Sequence, residues 1–286
     1  MSSPRPSVAV AIPCYNEAPA ITAVVADYRR ALPDALIVVF DNNSTDGTGD
    51  IARGLGVRVE SVPEQGKGHA VRAAFQMLAS HDIVVLTDGD GTYPASEAHR
   101  LIELVVTGQA DMAVGARRPV AGAGAMTLIR RVGNLLIRAA FRIVIGPGNT
   151  DLLSGYRAFS KTYREQVELS ATGFEIETEL ASEAVARGLA VVEIPIPYHP
   201  RIAGTESKLS AVRDGVRILR TILRQGWRLR RMRMRLLFIA GYSLILIPFT
   251  RNLIVPAIML ALLTVIVLVD WWGSRGRAVA RGKIGR

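Results

Sequence analysis

The chain has 286 residues, a net charge of +10 and one cysteine. Its length allows one large or two modest domains, while the lone Cys14 excludes an internal disulfide and argues against a cysteine-based structural zinc site. From Arg213 onward 15 Lys and Arg face 2 Asp and Glu, against 20 and 23 before it, so the basicity belongs to an apolar tail suited to an anionic membrane surface, not to a nucleic-acid-binding body.

Met1–Pro6 leads into an apolar run ending at Pro13 that is shorter than a signal-peptide core and reads as the first strand, Val8–Ile12. A helical pattern follows over Ala20–Ala31, then a strand over Leu36–Phe40 that ends in the turn-forming Asp41-Asn42-Asn43-Ser44-Thr45-Asp46-Gly47. Gly66-Lys67-Gly68 precedes a helix over His69–Ala79. The strand Ile83–Leu86 stops at Asp88-Gly89-Asp90, and a helix is expected over Ser96–Val106. This alternation predicts an α/β fold, a mostly parallel sheet with helices on both faces.

In such a sheet, ligands bind beyond the carboxyl ends of the strands. Ile12-Pro13-Cys14-Tyr15-Asn16-Glu17, Asp41-Asn42-Asn43-Ser44 and Asp88-Gly89-Asp90 all fall there. Carboxylates spaced i, i+2 at a strand end suit a divalent metal whose coordination a substrate diphosphate completes. Acids, amides and helix N-termini along the same edge suit a nucleotide. No Gly-x-Gly-x-x-Gly or Walker A loop is present, which argues against a dinucleotide enzyme or an ATPase. His69, His81, His99 and His199 share no metal-ligand spacing.

Over Ser210–Arg235, Val212, Val216, Leu219, Leu223 and Trp227 recur at helical spacing, shadowed by Arg213, Arg217, Arg220, Arg224, Arg228, Arg231 and Arg235. That pattern predicts an amphipathic helix in a membrane interface, with a domain helix bearing a solvated basic face as the alternative. Leu236–Thr250 and Leu253–Val269 are uncharged apolar runs separated by Arg251-Asn252. Together they exceed one untilted crossing of a ~30 Å hydrocarbon core, and arginine clusters flank the pair on both sides. A transmembrane hairpin would put both clusters on the cytoplasmic side. The expected organisation is a catalytic domain over 1–209, an interfacial helix over 210–235, a membrane region over 236–272 with two spans, and a basic cytoplasmic tail over 273–286. The expected location is the cell (inner) membrane, multi-pass, with the catalytic domain cytoplasmic.

Pro13-x-Tyr15-Asn16-Glu17, Asp41-Asn42-Asn43-Ser44-Thr45-Asp46-Gly47-Thr48, Gly66-Lys67-Gly68 and Asp88-Gly89-Asp90 resemble the pattern of glycosyltransferase family 2 on a GT-A fold. Ser154-Gly155-Tyr156-Arg157, Gly173-Phe174-Glu175-Ile176-Glu177 and Arg201…Ser207-Lys208-Leu209 resemble its dolichol-phosphate mannose synthase-like branch, whose members transfer sugars to polyprenyl phosphates. The resemblance spans roughly residues 7–210. It implies that Pro13, Tyr15, Glu17, Asp41, Lys67 and Asp88 surround a nucleotide sugar, with a divalent metal (Mg or Mn) at Asp88 and Asp90. It also implies that Arg117, Arg118, Arg130, Arg131, Asn134, Arg157, Arg201 and Lys208 are candidates for the acceptor phosphate, since guanidinium forks suit phosphate oxygens. Glu175 and Glu177 stand where relatives that attack with hydroxyls keep a catalytic acid residue, beside Asp90; on an outward-facing helix they would be solubilising charges. Two features depart from the family pattern: Asn42-Asn43 replaces the commoner Asp-Gly after Asp41, and Thr92 stands where some relatives have a metal-binding Gln.

The implied activity is inverting transfer of a hexosyl group from a GDP- or UDP-sugar to a polyprenyl phosphate at the cytoplasmic face. Alternatives are the same fold acting on a glycolipid or other hydroxyl acceptor, or a non-catalytic membrane-anchored scaffold subunit. The Gln-x-x-Arg-Trp of processive polysaccharide synthases is absent; Gln225-Gly226-Trp227-Arg228 does not match it.

Overall fold

Runs of Val, Ile and Ala too short for helices and apolar on both faces form the centre of a parallel sheet. The computed structural model describes residues 5–120, 128–205, 208 and 211–229. In chain order these are β1 (Val8–Cys14), α1 (Ala18–Ala31), β2 (Leu36–Asp41), α2 (Thr48–Gly54), β3 (Arg58–Ser61), α3 (Lys67–Met77) and β4 (Ile83–Leu86). A 3-10 turn (Ala95–Glu97) then leads into α4 (Ala98–Val106), β5 (Met112–Pro119), α5 (Leu128–Val144), β6 (Arg157–Ser160), α6 (Lys161–Gln166), α7 (Ile176–Arg187), β7 (Val191–Tyr198) and α8 (Ala211–Leu229).

The strand order is β3-β2-β1-β4-β6-β5-β7. All pairings are parallel except those of β6, which runs antiparallel to β4 and β5. The pleat of β1 sends Val10 and Ile12 into a core with Ile21, Val25 and Leu101 of α1 and α4. It sends Ala9 and Ala11 to the opposite face, against Val71, Phe75 and Leu180 of α3 and α7. Consecutive connections therefore leave β1 and enter β4 on opposite faces of the sheet. The crevice between those strand ends is the switch point where open α/β sheets bind ligands. It holds both Pro13–Glu17 and Asp88–Asp90.

The chain divides into a first unit ending at Gln225 and a second beginning at Gly226. Within the first, Ile218 and Ile222 of α8 pack with Ile137 and Phe141 of α5 and Ala181 of α7. Glu179 of α7, fully buried, fastens α8 through Gln225 Nε2 (2.7 Å) and accepts the backbone N–H groups of Ser170 (2.9 Å) and Ala171 (2.7 Å). The stripe expected at an interface faces away from this packing: Val216, Leu219 and Leu223 are 62%, 38% and 52% exposed. No helix among the described residues is long and apolar enough to cross a membrane. The apolar runs 236–250 and 253–269, expected to form a hairpin, lie outside the described residues, as does the predicted tail over 273–286.

Candidate active site

Two loops are clipped together at the C-terminal edge of the sheet. Asn16 adopts φ +53°, a left-handed conformation that asparagine tolerates better than most residues. Its N–H donates to Ser44 Oγ (3.0 Å), and its Oδ1 accepts the Thr45 N–H (2.8 Å). Glu17 N–H donates to Thr48 Oγ1 (2.9 Å) and Ala18 N–H to Asp46 Oδ2 (3.0 Å). Much of the polar run after β2 thus holds the turn after β1, leaving half-buried Pro13, Tyr15 and Asp41 along the rim. The Asp41 carboxylate accepts the Ser44 N–H (3.2 Å).

Asn42 is buried and its side-chain amide is engaged on both sides. Its Nδ2 donates to the carbonyls of Val62 (3.2 Å) and Glu64 (2.7 Å), while Oδ1 accepts the Gly66 N–H (2.6 Å). Only an amide can donate to two carbonyls and accept from an N–H at once, which explains why an acid is missing here. Gly66 itself has φ +138°, and a Cβ there would stand 2.2 Å from the Thr172 carbonyl oxygen. The glycine lets the start of α3 lie against residues 171–172 and sets Lys67 at the crevice.

Lys67 Nζ pairs with Asp88 Oδ1 and with Glu177 Oε1, each at 2.6 Å. Burial alone would lower the lysine pKa, but the two carboxylates hold it above its ordinary value. Gly155 makes room for this pair, since a Cβ there would stand 2.7 Å from Asp88 Oδ1 and 2.8 Å from Lys67 Nζ. Asp90 is buried. Its Oδ1 accepts the N–H (3.0 Å) and hydroxyl (2.7 Å) of Thr92, and its Oδ2 meets Arg201 Nη1 at 2.6 Å. Burial, and then the charge of Asp88, push the Asp90 pKa up. Glu17 is pushed up to about 7 by burial and then by Asp90, with Arg201 and Lys208 opposing the rise. Its Oε2 is buried without a hydrogen-bond partner.

This surplus of carboxylate oxygens fits a divalent cation at Asp88 and Asp90. Among the described residues no three acidic, histidine or cysteine side chains converge to hold a metal by themselves. A cation here would take its remaining ligands from substrate phosphates and water, as Mg²⁺ commonly does.

The other expected site residues have varied placements. Arg157 is fully buried in β6 and donates to the carbonyls of Ser154 (2.9 Å) and Leu152 (2.8 Å). Burial lowers its pKa, and it braces the sheet instead of meeting an acceptor. Arg117 spends its fork on Asp151, through Nε and Nη2 at 2.7 Å each, and lies over the Tyr198 ring. Arg118 is exposed at the end of β5; Arg130 and Arg131 fall in the first turn of α5, with Asn134 following. Glu175 is buried, its Oε1 accepting the N–H groups of Thr172 (3.2 Å) and Gly173 (3.1 Å). Glu175 therefore shapes a loop and Glu177 holds Lys67; neither faces outward. Sequence pattern assigns no role to Ser44 or Thr48, although hydroxyl residues in a turn beside a strand end are signals for such clips.

The structure resembles glucosyl-3-phosphoglycerate synthase from Mycobacterium tuberculosis, solved with Mn²⁺, UDP-glucose and phosphoglyceric acid, with a TM-score of 0.63 over 78% of this chain and 80% of that one at 21% identity. That likeness supports the GT-A fold. In sequence the chain is 39% identical over 209 residues to Glycosyltransferase AglJ of Haloferax volcanii, covering 73% of this chain and 68% of the relative. It is 34% identical over 218 residues to the dolichyl-phosphate hexose transferase of the same organism, covering 76% and 92%. The model of glycosyl transferase family 2 matches residues 9–166, spanning the clipped loops, Lys67, Asp88 and Asp90. The chain belongs to glycosyl transferase family 2.

Proposed function

We propose that the protein transfers a hexosyl group from a nucleotide sugar to a polyprenyl phosphate at a membrane surface, inverting the anomeric centre. The observation that carries this reading is the convergence of Asp88, Asp90 and Lys67 at the switch point of the sheet. Pro13, Tyr15, Glu17 and Asp41 would flank the nucleotide there. Bound at Asp88 and Asp90, a divalent Mg or Mn ion would neutralise the departing diphosphate. Lys67, held charged by Asp88 and Glu177, adds a fixed positive charge beside the same leaving group.

Glu175 Oε1 and Glu177 Oε1 are engaged by loop amides and by Lys67, which favours an acceptor that brings its own charge. A lipid phosphate is already ionised at neutral pH and needs no general base. The surface supports the same choice. Leu135, Leu136 and Ile143 of α5 are 59%, 60% and 70% exposed, and α8 exposes its own apolar stripe. Arg138, Arg142, Arg213, Arg217 and Arg220 are exposed among them. Two packed helices presenting apolar side chains ringed by arginine suit an anionic bilayer interface, where a lipid acceptor presents its phosphate. Cytoplasmic orientation and the two membrane spans remain part of this proposal.

Membranes containing the protein, given labelled GDP- and UDP-sugars with and without added polyprenyl phosphate, test it. A lipid-linked product that requires both polyprenyl phosphate and Asp90 is expected. A product insensitive to polyprenyl phosphate would move the activity to another acceptor. No product with any donor, in wild type and Asp90→Ala alike, would point to a scaffold.

A further inference from the structure

Both carboxylates after β4 carry an internal cation, and the two cations are held unequally. Lys67 bridges Asp88 and Glu177 from the first residue of a helix, and its side chain is 12% exposed. Arg201 has one carboxylate partner among the described residues, its side chain is 32% exposed, and it comes from the irregular segment between β7 and α8. That segment is fastened to the Asp90 turn by backbone bonds from His199 N–H to the Thr92 carbonyl (3.0 Å) and from Ile202 N–H to the Asp90 carbonyl (3.3 Å). Withdrawing Lys67 would leave two carboxylates uncompensated. Withdrawing Arg201 would break one ion pair, with Asp90, and remove a more distant charge from Glu17.

The oxygen Arg201 holds is the one a metal would need. Asp90 Oδ1 already accepts two donors from Thr92, so Oδ2 is the atom left for a cation, and Arg201 Nη1 stands 2.6 Å from it. Oδ2 keeps a lone pair beyond the bond to Arg201, but a guanidinium and a divalent ion on one oxygen repel each other in a buried site. Metal binding alone therefore works against an ion pair and gives the arginine nothing in return. A diphosphate arriving with the metal offers its planar fork two new oxygens.

We propose that Arg201 is a stand-in cation: it occupies Asp90 until a divalent metal and a nucleoside diphosphate arrive together, then swings from the carboxylate to the phosphates. Arg201 is thus a positioning residue through which metal and diphosphate binding become synergistic. The inference rests on the reading of Asp88 and Asp90 as a metal site. It assigns to the segment around Ile202 a change of partner at each turnover.

The test is Mn²⁺ binding to the full chain in detergent, followed by the EPR signal of free Mn²⁺, without nucleotide and with GDP or UDP. Wild type, Arg201→Gln, Arg201→Lys and Asp90→Asn are compared. In wild type, diphosphate is expected to tighten Mn²⁺ binding by at least about tenfold. Arg201→Gln is expected to bind Mn²⁺ alone about fivefold more tightly than wild type and to lose most of the diphosphate effect. Arg201→Lys, which keeps a cation, stays near wild type. Hydrogen exchange at the Ile202 amide, read in wild type alone, speeds up with Mn²⁺ and diphosphate but not with either separately. Equal or weaker Mn²⁺ affinity in Arg201→Gln without nucleotide overturns the proposal, as does an Ile202 amide indifferent to both ligands. Wild type that binds no Mn²⁺ with either diphosphate, like Asp90→Asn, overturns the metal reading as well.

Discussion

Asn42 shows how one amide can settle what a motif means. Read in sequence, it is an acid gone missing from a nucleotide site; in the fold it is the staple between β2, β3 and the start of α3. Asn42→Asp would set a carboxylate against two carbonyl oxygens, so a loss of about 2–4 kcal/mol in urea unfolding is expected. A variant as stable as wild type would remove the staple. Arg157 teaches the complementary lesson: an arginine beside Ser-Gly-Tyr looks like a phosphate ligand, because burial is not visible in a local string. Glu17 carries a pH signature. Its pKa is near 7 in the folded protein and 4.5 ordinarily, so below pH 4.5 it is protonated in both states. As pH rises through 4.5 to 7 the unfolded chain gives up the proton first, so stability falls, by at most about 3 kcal/mol above pH 7. Glu17→Gln should flatten the decline in melting temperature between pH 5 and 7; an unchanged slope would assign the effect to another group.

Elements were legible where patterning was simple. Ile83–Leu86 matches its expected bounds, and β1 and β2 extend theirs by one or two residues at the carboxyl end. β6 and β7 are not evident from pattern. β6 is four residues opening on an arginine, and β7 contains Pro195 and Pro197, which a sheet tolerates at the edge position β7 occupies. In α8 the conspicuous apolar residues turn out to be the exposed ones, while Ile218, Ile222, Asp214 and Gln225 face the domain. The two faces should separate experimentally. Ile218→Ala removes core contacts and should lower stability by about 2–4 kcal/mol. Leu219→Glu with Leu223→Glu should leave unfolding within about 0.5 kcal/mol of wild type per site yet weaken sedimentation with anionic vesicles. Equal vesicle binding by that pair would detach α8 from any membrane role.

Across the molecule, alternating strands and helices predicted a mostly parallel sheet, and acids at three strand ends predicted a common edge. What pattern cannot supply is the strand order, because it depends on which face each connection takes. That order places the ends of β1 and β4 side by side and makes the crevice. If the crevice performs transfer through a bound cation, Asp88→Asn and Asp90→Asn should each reduce turnover by about 100-fold or more, with metal dependence altered in the residual activity. Wild-type rates in either would end that reading.

Glu179 has a larger consequence than its place in the interior suggests. It grips Gln225 of α8 and the Ala171 amide, and the next residue, Thr172, accepts the Gly68 N–H (3.0 Å) at the head of the helix that carries Lys67. If α8 lies on a bilayer, the carboxylates ride at a constant altitude above the headgroups, set by covalent chain and buried bonds. A lipid would be judged only by what rises to that altitude, its phosphate and first few carbons. Tails of very different length would then be served at the same rate.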